Sequence, residues 1–88
     1  MWYEYSEERE LVKFHARIGE NIKGAREARK CSQNEIAGIA GLSQSQLSRI
    51  EAGERGASLY ALSRIAKALK VRPGDLMEGN TGKPRSKI

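Results

Sequence analysis

Two Ser-x-x-Glu/Gln patterns, Ser32 with Glu35 and Ser43 with Gln46, constrain this chain more than any other feature. Each has the spacing of a capping box, in which the serine side chain and the third residue's side chain satisfy each other's loose backbone donors. Gly41 lies between them, where a helix can end in the left-handed conformation. Residues 32–51 therefore read as two short helices joined by a tight turn. The second opens with Gln44, Ser45 and Gln46 and carries Arg49. Such side chains can hydrogen-bond base edges in a DNA major groove.

The rest of the chain is consistent with an all-α fold. Its 88 residues allow one domain with a single modest core. A helical stripe runs Leu11, Phe14 or His15, Ile18, Ile22, Ala25. The pattern leaves open one helix to Arg29 or two with a break near Gly19; Gly24 is a second weak point. Ser6 is expected to cap the start, with Glu7, Glu8 and Glu10 favouring the positive helix end. Residues 52–57 read as a loop and Ser58 as the cap of a further helix. Its expected stripe is Leu59, Leu62, Ile65, Ala66 and Leu69. Pro73 then opens at most a short last helix. Residues 1–17 are expected to be a partly helical aromatic extension, and 79–88 a disordered basic tail.

Charge is uneven. Residues 1–10 hold four glutamates and one arginine, net −3, so residues 11–88 carry +8 of the overall +5. A basic body suits nucleic acid. Lone Cys31 cannot form an internal disulfide and fits a small packed hydrophobe. Lone His15 has no companion His or Cys, so no metal site is expected. The acidic start lacks an apolar signal core, and a cytoplasmic protein is expected. One His, one Cys, no ligand cluster and no phosphate loop argue against an enzyme, and no cofactor is implied.

The stretch Ile18 to Met77 resembles the phage Cro/repressor type of helix-turn-helix, the XRE-like family. The matching residues are Ser32-Gln33, Glu35-Ile36-Ala37, Gly41-Leu42-Ser43, Leu47 to Glu51, Gly53-Glu54-Arg55 and Ser58-Leu59. The resemblance implies five helices over residues 18–78, the second lying across the DNA backbone and the third entering the major groove. It implies sequence-specific binding to double-stranded DNA, usually as a homodimer on an inverted repeat.

On that basis Gln44, Ser45 and Arg49 are expected to read bases. Gln33, Gln46, Ser48 and Arg55 are expected to contact phosphate or brace the site, Gln46 chiefly through its cap. Arg26 and Glu51 match positions that form a buried or half-buried pair. Lys23, Lys30, Lys83, Arg85 and Lys87 would add non-specific attraction.

Three departures stand out. Lys30 occupies a position where the family usually has glycine, Ala25 one where it has leucine, and Ile39 one more often polar. The aromatic start (Trp2, Tyr3, Tyr5) could fold back over the first two family helices, filling the gap at Ala25 and covering Ile39. It could equally be an unattached start, or share a dimer surface with the short last helix. The rival to a repressor or autoregulator is a protein-interaction module, such as an antitoxin or adaptor, on the same fold.

Overall fold

The two capping boxes form as the spacing predicts. In a computed structural model the backbone is described for residues 2–80 and the side chains for residues 9–80. Five helices are described: α1 Trp2–Ala28, α2 Gln33–Ala40, α3 Gln44–Glu51, α4 Leu59–Leu69 and α5 Pro73–Glu78. No strand occurs among the described residues. Residues 81–88, with Lys83, Arg85 and Lys87, lie outside them, as do the side chains of Trp2, Tyr3 and Tyr5.

At the start of α2, the Glu35 amide donates to Ser32 Oγ at 3.0 Å, and the Ser32 amide donates to Glu35 Oε1 at 2.7 Å. Ser43 and Gln46 repeat this at α3, at 3.0 and 2.8 Å. Between them Gly41 adopts φ +74°, and the Leu42 amide reaches back to Ala37 O at 2.8 Å. The backbone thus turns sharply with its polar groups paired. Lys30 makes the same left-handed turn at the end of α1 with φ +57°, and Lys70 does so at the end of α4 with φ +63°. Ser58 caps α4 through the Ala61 amide.

The core is a single cluster. Ile18, Ile22 and Ala25 of α1 meet Ile36, Ala37 and Ala40 of α2, Leu47 and Ile50 of α3, Leu62, Ile65, Ala66 and Leu69 of α4, and Leu76 of α5. α2 packs on α4 and α3, while α1 packs on α3, α5 and α4. Asn21 ties α1 to α5 by donating from Nδ2 to Leu76 O at 2.6 Å. Cys31 is half-buried against the core.

Several expectations are corrected. α1 is one 27-residue helix, one of the two alternatives its stripe left open, and Ser6 lies inside it rather than capping it. Gly19 does not break the helix; it marks the crossing of α1 and α3. A Cβ there would fall 2.6 Å from Glu51 O and closer still to Ile50 O. The aromatic start does not fold back. On a continuous helix, twenty residues separate Tyr5 from Ala25, about 30 Å of axial rise. Ala25 is already covered by the core, whereas Ile39 remains 64% exposed. Leu59, the first residue of α4, is 74% exposed and leaves the expected stripe, whose buried part begins at Leu62.

Candidate nucleic-acid interface

α3 has two faces set by its periodicity. Leu47, Ile50 and Glu51 point inward and are buried. Gln44, Ser45, Ser48 and Arg49 recur at one- and four-residue steps and are exposed. Together these four make a polar ridge with one cation. Among the described residues, Arg49 makes no hydrogen bond or ion pair, so its guanidinium is available to a ligand.

A hydrogen-bonded chain fixes the start of this ridge. Arg26 of α1 grips Glu51 in a bidentate pair, Nε to Oε2 at 2.7 Å and Nη2 to Oε1 at 3.0 Å. The two side chains are only 11% and 3% exposed. Arg26 Nη1 also donates to Cys31 O at 2.9 Å. Hydrogen bonding to Glu51 holds Arg26 above the ordinary arginine pKa despite opposing desolvation. Arg26 is therefore a neutralised structural cation and adds little to the outward field.

Gln33, the first residue of α2, donates from Nε2 to Glu51 Oε1 at 3.0 Å. A carboxylate only accepts, so the Gln33 amide must turn its nitrogen inward and its oxygen outward. That oxygen accepts a long 3.4 Å bond from Gln44 Nε2. Gln44 keeps its Oε1 and one N–H for a partner, the donor-and-acceptor pair that matches an adenine edge.

The other candidate residues have distinct positions. Ser45 is exposed in the first turn of α3. Gln46 spends its Oε1 on the Ser43 cap and holds the helix start. Lys23, Gln33, Ser48 and Glu51 line one polar cleft between α1, α2 and α3. Arg55 is exposed in the loop after α3 and lines a groove with Phe14, His15 and Gly56.

One positioning residue was not legible as a motif. Arg64 of α4 donates from Nε to Ala40 O at 2.5 Å and so holds the open C-terminal end of α2 beside Gly41. Its guanidinium also lies over Tyr60, 5.4 Å from the ring centroid, and donates from Nη1 to the Tyr60 hydroxyl at 3.0 Å. The only sequence signal is a Tyr-x-x-x-Arg spacing on one helix face. Among the described residues, no helix is long and apolar enough to cross a membrane.

The chain is similar in sequence and fold to known proteins. The HTH_3 model, described as helix-turn-helix, matches residues 22–76. The chain is 40% identical over 61 residues to the HTH-type transcriptional repressor RghR of Bacillus subtilis, covering 68% of this chain and 45% of that protein. It is 42% identical over 54 residues to the HTH-type transcriptional regulator y4dL of Sinorhizobium fredii, covering 61% of this chain and 28% of that protein. The chain thus spans less than half the length of these curated relatives.

Among solved structures, the restriction-modification controller protein C.AhdI from Aeromonas hydrophila superposes with a TM-score of 0.69 and 31% identity. The match covers 70% of this chain and 94% of that one. An HTH_3 family transcriptional regulator from Vibrio cholerae gives a TM-score of 0.74 and 27% identity over 81% of this chain and 40% of that one. With the capped α2–α3 pair and its outward ridge, the matched family model, which spans more than half of the sequence, places this chain in the HTH_3 helix-turn-helix family.

Proposed function

We propose that this chain is a repressor or autoregulator that sets α3 in the major groove of an operator, as a homodimer on an inverted repeat. The observation that carries the reading is the Glu51–Gln33–Gln44 chain. It holds one amide of fixed polarity at the tip of an otherwise unpaired polar ridge. Gln44 then pairs with adenine, Arg49 with guanine, and Ser45 contacts a neighbouring base edge.

Gln33, at the N-terminus of α2, and Ser48 lie beside the phosphate backbone; Gln46 braces α3 through its cap. Arg55 reaches a phosphate from the following loop. The ridge reads only a few base pairs. A two-fold dimer doubles that number, with half-sites about 34 Å apart.

No cofactor enters this reading, no enzymatic activity is part of it, and the chain acts in the cytoplasm. Selection of bound duplexes from a random pool, followed by titration at several salt concentrations, tests it. An inverted repeat bound tightly with a steep salt slope is the expected result. Weak, uniform binding with a protein co-purifying would favour the interaction-module reading instead.

A further inference from the structure

α1 outruns the body that buries it. Its stripe is buried at Ile22 and Ala25, half-buried at Phe14 and 53% exposed at Leu11. The loop after α3 packs on α1 at His15 and Ala16, and the folded body ends there. Beside that point lies an apolar groove of about 230 Å³ between α1, α4 and α5, walled by Phe14, Ile18, Leu59, Leu62 and Met77. An apolar space of about 150 Å³ already admits a benzene ring. By volume, this groove has room for one large aromatic side chain.

We propose that the N-terminal half of α1 is a homodimerisation arm. Two copies cross antiparallel near Leu11, and each arm lies on the partner copy's groove. The inference rests on the dimeric reading above and names its surface.

Two observations select a second copy as the occupant. The first is continuity of the helix. The aromatic residues of the arm, Trp2, Tyr3 and Tyr5, lie at its far end. Tyr5 is thirteen residues from Ile18, about 20 Å of axial rise, so a continuous helix keeps the arm off its own groove.

The second is charge. Before Leu11 the helix carries Glu4, Glu7, Glu8 and Glu10 against Arg9. After it, over the residues 12–20 that an antiparallel arm can reach, come Lys13 and Arg17 against Glu20. Antiparallel crossing at Leu11 places the acidic segment of each copy beside the basic segment of the other; parallel crossing places like charges together. Such a contact is isologous and closes on two copies.

Sedimentation of the full chain without DNA tests the arm separately from base reading. Wild type should be a dimer. Leu11→Glu, which sets two carboxylates on the two-fold axis, should weaken dimerisation about tenfold or more. The charge test uses two double variants. Lys13→Glu/Arg17→Glu alone and Glu7→Lys/Glu8→Lys alone should each dissociate, and an equimolar mixture of the two should restore a dimer. Lys13 and Arg17 are exposed, so circular dichroism should stay wild-type.

A monomeric wild type, unchanged dimerisation of the variants, or a mixture that stays monomeric would overturn the proposal. Independently, Leu11→Cys in a Cys31→Ala background should form a disulfide with its own copy on mild oxidation. Failure to cross-link would count against the crossing point. Gln44 and Arg49 are untouched in every variant, so operator sequence preference would survive the failure of this proposal.

Discussion

The two faces of α3 are built from the same eight residues and answer to different demands. The inward face, Leu47, Ile50 and Glu51, is locked by packing and by the Arg26 pair. The outward face, Gln44, Ser45, Ser48 and Arg49, touches little of its own fold beyond the long Gln33 contact. Inward changes should therefore cost stability, and outward changes should cost base preference. Among the described residues, the Glu51–Gln33 hydrogen bond links the two faces. It lets a buried carboxylate decide how an exposed amide is presented.

The largest expected effect tests that link. Glu51→Ala leaves the Arg26 guanidinium without its carboxylate in a nearly dry site, and breaking a buried pair typically costs about 3–5 kcal/mol. Domains of this size are stable by only about 5–15 kcal/mol, so thermal melting without DNA should show a large loss. Glu51→Gln should melt closer to wild type while altering the base preference proposed for Gln44, because an amide can present a donor to Gln33. Wild-type melting of Glu51→Ala would show that the pair does not hold the inward face.

Leu47→Ala comes next. Leu47 is fully buried, and such truncations cost about 2–5 kcal/mol. At a temperature where the variant remains folded, its base preference should be unchanged. A shifted preference would mean that core packing also tunes the outward ridge.

Gln44→Ala and Arg49→Ala should invert the pattern. Exposed substitutions away from caps and pairs usually stay within about 0.5 kcal/mol of wild-type stability. Each should instead relax discrimination at one base pair by about 1–3 kcal/mol. Selection profiles of the two variants check this. Unchanged preference in either would remove that residue from the reading set.

What was legible in the sequence follows from the range of the interactions. Ser32, Ser43 and Ser58 announced their helices because a cap needs only residues three positions away. Ser6 has the same chemistry, but α1 already runs through it from Trp2. Gly19 looked like a weak point because propensity is local, whereas its reason is the α3 backbone crossing over it. Leu59 matches the α4 stripe in spacing, yet it stays 74% exposed at the rim of a groove, and the buried stripe begins at Leu62. Arg64 meets Ala40 across 24 positions of sequence, and no short pattern encodes that contact. The positions of Arg26 and Glu51 came through family resemblance; the bidentate geometry, and its extension through Gln33 to Gln44, required the fold.

The smallest effect should move stability upward without touching recognition. Lys30 sits at φ +57°, a conformation that costs an L-residue about 1–2 kcal/mol and glycine almost nothing. Lys30→Gly removes that cost. It also frees the unfolded chain and removes a cation from a helix C-terminus, which together offset part of the gain. A net stabilisation of about 0.5–1 kcal/mol is expected. Lys70→Gly, at φ +63° on α4, should gain a similar amount and serves as the control. The two differ in what they support. The Lys30 turn delivers Cys31 O to Arg26 Nη1, and through Arg26 it supports the whole chain to Gln44. If the inward scaffold only needs to be rigid, both variants should melt higher with identical selection profiles. The operator salt slope of Lys30→Gly should fall by about one unit only if Lys30 meets a phosphate. A changed base preference in Lys30→Gly but not in Lys70→Gly would show that the end of α1 helps to aim Gln44.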